Sequence, residues 1–289
     1  MTQPDETAGE PIEVSVVGSL DGSVIPREAP LTDLRIDVPH VARMYDYYLD
    51  GKDNFAADRA AVAGVEKAMP EVRQLARENR AFLRRAVRHM VAEGIRQFID
   101  IGAGLPTAGN THEIAQKAAP DSRIVYVDND PIVLAHGQAL LAENGNTTVL
   151  QADMRQPADL IDSGAVRSLI DFNQPVGVLL IAMTHFLTAE EREPIMGTLR
   201  DSLSPGSLLA LTHVTGDGHS DTAVTGVERV YSTTPTPIYF RTHAEVSRFF
   251  NGYTLIEPGL VTVDAWRPDG ADPAPAATRW LYGGVGRRR

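Results

Sequence analysis

The sequence predicts an α/β fold built on a mostly parallel sheet, and three observations predict it. From about residue 96 onward, apolar runs of strand length alternate with segments of helix length. The first run, Phe98-Ile99-Asp100-Ile101, leads straight into a glycine pair, Gly102 and Gly104. The next, Ile124-Val125-Tyr126-Val127, ends in an acid, Asp128. Strand, glycine turn, helix, strand and acid in this order are how such a sheet seats an adenosine-containing ligand beyond the carboxyl ends of its strands.

Along the chain, residues 1–36 are rich in Pro, Gly, Ser and acids without steady periodicity and are expected to form a flexible or loosely docked tail. Residues 37–95 are expected to form a helical extension or lid. Its clearest helix carries Phe82, Leu83, Ala86, Val87, Met90 and Val91 as an apolar stripe, with Arg84, Arg85 and Arg88 opposite. Residues 96–289 then form the ligand-binding core, so one domain with an elaborated N-terminus accounts for the length. After the two strands already named, 148–152 and 176–181 read as the third and fourth, the latter uncharged and buried on both faces. A helix over 190–203 is stopped by Ser204-Pro205-Gly206, and a fifth strand follows over 207–211. Toward the end, 241–250 predicts a helix, 253–257 a strand, and 279–286 a last strand after the Pro/Ala-rich loop 267–277.

The ligand seat is read residue by residue. Gly102 and Gly104, with Ala103 between them, let the backbone turn tightly and approach a ligand with no Cβ in the way. Asp128 is the expected ribose anchor, because a carboxylate accepts from both ribose hydroxyls, and Asn129 follows beside it. Asp130 reads as a helix N-cap with Pro131 at the first helical position. A dinucleotide fingerprint needs a third glycine under the pyrophosphate, whereas Leu105, Pro106 and Thr107 follow Gly104 here. Asp100 beside the turn suits a cationic ligand end, the amino group and sulfonium of S-adenosyl-L-methionine. That cofactor is therefore expected in preference to NAD. Asp153 after the third strand is placed to accept from an adenine amine, and Met154 to pack on the ring.

Methyl transfer from a sulfonium is a displacement in which orientation supplies much of the rate. A base is needed only if the acceptor is a hydroxyl, and His185 after the fourth strand is the candidate, the alternative being a simply packed histidine. Arg43, Tyr48, Asp53, Asn54 and Phe55 are candidates for a lid over the methyl-bearing end; equally, this segment is a helix that buries its tyrosines and solvates its charges. His213, expected just after the fifth strand, and Tyr239 and Arg241 either line the cleft or are structural; His112, Glu113 and His136 are expected to be solvated. No H-E-x-x-H or H-x-x-x-H spacing occurs, so no protein-held metal is expected.

The charge of −11, from 38 acids against 27 bases, disfavours a task that tracks nucleic-acid phosphates and favours a small-molecule acceptor. With no cysteine, no apolar run near about 18 residues and an acidic start, Met1-Thr2-Gln3-Pro4-Asp5-Glu6, the expectation is a cytoplasmic protein without a membrane partner. Two other readings stay open: an NAD-dependent oxidoreductase, and a non-catalytic sensor of S-adenosylmethionine or S-adenosylhomocysteine.

The order Asp100-Ile101-Gly102-Ala103-Gly104, Val127-Asp128, Ala152-Asp153 and Leu203-Ser204-Pro205-Gly206 resembles the class I S-adenosylmethionine-dependent methyltransferases. More closely, the run from His40 through Met44-Tyr45-Asp46-Tyr47-Tyr48 to Asp50-Gly51-Lys52-Asp53-Asn54-Phe55 is similar to an actinobacterial family of S-adenosyl methyltransferases first catalogued as a domain of unknown function. Gly104-Leu105-Pro106-Thr107, Tyr126-Val127-Asp128-Asn129-Asp130-Pro131 and Leu281-Tyr282-Gly283-Gly284 extend the resemblance over roughly 37–289. It implies a Rossmann-like fold with a seven-stranded sheet, helices on both faces and a last strand inserted antiparallel near the edge. It implies the cofactor and supplies no acceptor. Many methyltransferases carry an acid or Asn at the end of the fourth strand; Ala182-Met183-Thr184 carries neither, which disfavours N-methyl and catechol acceptors.

Overall fold

Three helices open the described chain. In the computed structural model α1 (Val41–Tyr48), α2 (Ala56–Ala68) and α3 (Val72–Ala92) follow one another closely. The structure describes residues 35–106, 109–141, 144–270 and 277–289. All but the last two residues of the expected tail, Thr107, and most of the Pro/Ala-rich loop lie outside them. The α3 stripe is buried along its length, Phe82, Ala86, Val87 and Met90 completely, each large apolar side chain contributing about 1.5–3 kcal/mol. Arg85 departs from the expected solvated face: it is buried, donating Nε–H to the Trp266 carbonyl and Nη2–H to that of Val263. The helix packs against α1 and the helix Thr111–Ala118 as well as against the strands Leu208–Val214 and Leu281–Arg288.

The sheet follows. β1 (Gln97–Ile101) is buried at every position and leads through α4 (Thr111–Ala118) to β2 (Arg123–Asp128). α5 (Pro131–Leu141) then connects to β3 (Thr147–Gln151), which is only partly buried because it is an edge strand. α6 (Pro157–Asp162) and α7 (Gly164–Leu169) precede β4 (Gly177–Leu180), and a single 3-10 turn (Thr184–Phe186) and α8 (Ala189–Ser202) precede β5 (Leu208–Val214). α8 starts at a capping box in which the Glu191 N–H donates to Thr188 Oγ1 and the Thr188 N–H to Glu191 Oε2. α9 (Asp221–Tyr231), α10 (His243–Ser247) and a 3-10 turn (Arg248–Phe250) lead to β6 (Tyr253–Leu255), β7 (Val261–Thr262) and β8 (Leu281–Arg288).

The spatial order is β3-β2-β1-β4-β5-β8-β6, with β7 paired to β8. β1 to β5 are mutually parallel; β8 runs antiparallel to β5, β6 and β7. Among the described residues the sheet thus has eight strands where the resemblance implied seven, the addition being the two-residue β7, and β8 is inserted antiparallel as implied. β5 is longer than the sequence predicts because β8 pairs with it from Leu208 to Val214, which puts His213 inside the strand. The segment 241–250 is a short helix plus a 3-10 turn, not one helix.

Strand order reverses between β1 and β4, the switch point at whose carboxyl end ligands of open α/β sheets bind. α2 packs across α9, and α1 on α2, so the opening helices roof this end.

Candidate active site

A cavity of about 120 Å³ lies under that roof, bordered at one end by Asp100, the 102–104 turn and Asp128. The turn is bent toward β2: the N–H groups of Gly102 and Ala103 both donate to the Val127 carbonyl, at 2.7 and 3.1 Å. Gly104 N–H donates to Asp128 Oδ2 at 2.8 Å, and Asp130 N–H to Asp128 Oδ1 at 3.0 Å. Each carboxylate oxygen is therefore held by one backbone donor and retains a lone pair. Burial raises the Asp128 pKa, opposed by these two hydrogen bonds. Asp130 caps α5, accepting from the Ile132 N–H at 2.9 Å.

Gly102 and Gly104 both lie in the left-handed region, φ 75° and 67°, but differ in what a side chain would meet. A Cβ at Gly102 would overlap Met183 Sδ; one at Gly104 meets nothing within 4 Å. The space beside Gly104 is open. Gly104→Ala is expected to cost about 1–2 kcal/mol of backbone strain yet lower cofactor affinity by tenfold or more, because its methyl occupies that space. Calorimetric titration alongside a melting curve separates the two effects, and unchanged affinity would place the ligand elsewhere.

A second cavity, about 30 Å³, adjoins the first through Gly102, Asp128, Asn129, Met183 and Phe186, and is lined by Asp153 and Met154. Asp153 Oδ1 accepts from the Arg155 N–H at 2.9 Å, and its side chain is 38% exposed, leaving Oδ2 accessible. Acids and an apolar floor thus follow one another from the glycine turn to the end of β3.

The family model described as S-adenosyl methyltransferase matches residues 27–289. The chain belongs to the S-adenosyl methyltransferase family. Two crystal structures are similar throughout. A Thermobifida fusca protein described as a candidate methyltransferase is 40% identical, with a TM-score of 0.84 over 90% of this chain and 98% of its own. A DUF574-family protein of Streptomyces avermitilis is 41% identical, with a TM-score of 0.84 over 89% of this chain and all of its own. No curated protein matches. The chain is thus an S-adenosylmethionine-dependent methyltransferase of the Rossmann-like class, and the dehydrogenase alternative has no support.

In this methyltransferase Asp100 is buried, its Oδ2 accepting from Thr111 Oγ1 at 2.7 Å. Burial raises its pKa to about 6, against the pull of that hydroxyl and of Arg80. The folded protein holds this proton more tightly than the unfolded chain, so the group favours folding below about pH 4 and the contribution is lost as pH rises to about 6. Asp100→Asn should therefore stabilise the free enzyme at pH 8, by on the order of 2–3 kcal/mol, and leave it nearly unchanged at pH 4. Denaturant unfolding at the two pH values checks this, and equal shifts would mean that the charge is not the cause.

His185 lines the main cavity from the 3-10 turn, reached through Ala182, itself left-handed at φ 58° with its N–H donating to Thr212 Oγ1. The ring is buried and Nδ1 has no hydrogen-bond partner. Burial, with His213 and Arg241 nearby, holds its pKa well below the usual range, so it is neutral. His213 and Arg241 are not among the residues lining the cavity: Arg241 Nη1 lies 2.8 Å from His213 Nε2, and its guanidinium also donates to the carbonyls of Thr184 and Leu187.

Of the lid candidates only Tyr48 lines the cavity. Arg43 is buried, donating to the Val38 carbonyl with Nε 3.6 Å from Asp58 Oδ1 and its guanidinium 5.4 Å from the Phe55 ring centre. Asp53 N–H and Asn54 Nδ2 donate to Asp46 Oδ2 and fix the α1–α2 turn. These four residues brace the roof from outside, and His40, Val41, Ala42 and Tyr45 face the cavity in their place. His112 is half-buried, its N–H and Nδ1 both 2.8 Å from the Tyr126 hydroxyl, rather than solvated. His136 is half-buried, 3.9 Å from Asp53.

Sequence reasoning missed Asn79, Arg80 and Tyr231. Asn79 is fully buried, with Nδ2 donating to the Tyr45 hydroxyl at 2.8 Å and Oδ1 without a partner. A signal existed: Asn79 lies three and four residues before Phe82 and Leu83, so it continues the apolar stripe as a polar interruption.

Proposed function

We propose that this enzyme methylates a small-molecule acceptor held in the main cavity, with Asp128 fixing the ribose of S-adenosylmethionine. The observation that carries the reading is the buried Asp128 carboxylate, whose two oxygens are each anchored by one backbone N–H and open toward the junction of the two cavities. The residues fit the cofactor along its length. Asp100 and Arg80 offer opposite charges to the ammonium and carboxylate of the methionine end, Gly104 gives the backbone approach, and Asn129, Asp153 and Met154 serve the adenine. The N–H groups of 102–104 are all committed within the protein, so this part of the turn offers no donors to a pyrophosphate.

Bound there, S-adenosylmethionine supplies a sulfonium-activated methyl group. The protein holds the acceptor in line, excludes water beneath the α1–α2 roof and, for a hydroxyl acceptor, takes the proton on His185, whose ring keeps a free lone pair throughout the physiological range.

The test is calorimetric titration with S-adenosylmethionine, S-adenosylhomocysteine and NAD. Binding of the first two, tightening from pH 5 to pH 7 as Asp100 ionises against the ammonium, is the expected result. Binding of NAD alone would overturn the reading.

A further inference from the structure

The main cavity continues past the glycine turn into a chamber beneath α2 and α9. Its walls there come from Val65, Met69, Val72, Val227 and Ile238, all buried. Around them stand the rings of Tyr45, Tyr48, Phe186, Tyr231 and Phe240. Among the described residues that line the cavity the charged side chains are Asp100, Asp128 and Arg80, assigned above to the cofactor, and no other Lys, Arg, Asp or Glu lines it. A charged acceptor entering would lose its hydration with no counter-ion to replace it, a cost of several kcal/mol.

The polar atoms that remain are neutral and incompletely used. Asn79 Oδ1 has no donor and His185 Nδ1 no partner. The Tyr48 and Tyr231 hydroxyls lie 3.2 Å apart; one proton serves their mutual bond, which leaves the other as a donor. Leaving a buried polar atom unpaired costs about 1–3 kcal/mol, so these atoms favour a ligand with matching neutral groups.

Resting on the methyl-transfer reading above, we propose that the chamber selects an uncharged, flat, largely apolar acceptor that carries a hydroxyl. The rings supply edge and face contacts for a planar skeleton, and the acceptor's hydroxyl oxygen accepts from the spare proton of the Tyr48–Tyr231 pair while its own single proton is left for the neutral His185 ring. Specificity is then a matter of rejection: carboxylates, phosphates and ammonium groups are excluded by the absence of a partner charge.

The experiment titrates the protein saturated with S-adenosylhomocysteine with 2-naphthol, 2-naphthoate, 2-naphthylmethylammonium and 2-methylnaphthalene at pH 7. 2-Naphthol is expected to bind at least tenfold tighter than either charged relative and several-fold tighter than the methyl compound. Val227→Phe, which fills the chamber, should lose 2-naphthol binding and keep S-adenosylhomocysteine affinity within about twofold, which also certifies its fold. Equal or tighter binding of a charged relative, no preference over the methyl compound, or no naphthalene binding at all to the loaded protein would each overturn the proposal while the cofactor reading stands. Failure of S-adenosylhomocysteine to bind the wild-type protein would instead remove the cofactor reading, and this proposal with it.

Discussion

Asp128→Ala should abolish measurable S-adenosylmethionine binding, with a loss of affinity of about 100-fold or more. Two hydrogen bonds from ribose hydroxyls to a buried carboxylate are lost, each worth about 1.5–3 kcal/mol, and every 1.4 kcal/mol is a factor of about ten. The substitution also removes the acceptor of the Gly104 and Asp130 N–H groups, so the turn loosens and stability falls. Titration well below the variant's melting temperature, with circular dichroism to confirm that it is folded, separates the two losses. Asp128→Asn is the companion: one amide oxygen still accepts, so the fold is retained better than the binding. A folded alanine variant with wild-type affinity would show that the ribose is held elsewhere.

His185→Gln should lower kcat by 10² to 10⁴-fold for a hydroxyl acceptor while leaving the cofactor Kd unchanged, the range typical of removing a positioned general base. Glutamine keeps a polar group at the same depth and cannot take a proton at neutral pH. Since burial holds the ring neutral, kcat/KM for the acceptor at saturating S-adenosylmethionine should be flat between pH 6 and pH 8, without the rise that an ordinary histidine base would give. Stability carries the same signature with a definite sign. A histidine whose folded pKa is depressed binds a proton more readily in the unfolded chain, so its contribution is present above about pH 6.5 and is lost as pH falls below it. His213, depressed by burial to about 3, acts in the same direction. The variant should therefore resist mild acid better than the wild type. Normal turnover of a hydroxyl acceptor by the glutamine variant would leave His185 with a packing role only.

The parts of the fold legible in the sequence are those decided within a few residues. Apolar runs such as 98–101 and 124–127 bury on both faces wherever they stand in a sheet, and the Gly102–Gly104 turn and the Asp130-Pro131 cap are local chemistry. What stayed hidden depends on distant partners. Thr212 and His213 look like the end of a strand until β8 pairs with them and Arg241 supplies the hydrogen bond that lets an imidazole be buried. Arg85 reads as solvated until Trp266 and Val263, 181 and 178 residues later, offer their carbonyls. For the roof, composition identified the segment but not the facing: Arg43, Asp53 and Asn54 carry the chemistry that attracts attention, yet they brace, while Val41 and Tyr45 do the lining.

The two ends of the main cavity have different authorship. The cofactor end is made of sheet-anchored backbone and a few carboxylates whose positions are fixed by strand register, so a change there disturbs the whole core. The chamber end is made largely of side chains projected from α2, α3 and α9, where volume is set one residue at a time. On the acceptor reading proposed above, preference is separable from cofactor use: changes at Val65, Met69, Val72 and Val227 alter the chamber and leave the residues around the glycine turn untouched. The same separation makes the chamber the place to redesign, since a library confined to those positions is expected to sample new acceptors while leaving the cofactor contacts in place.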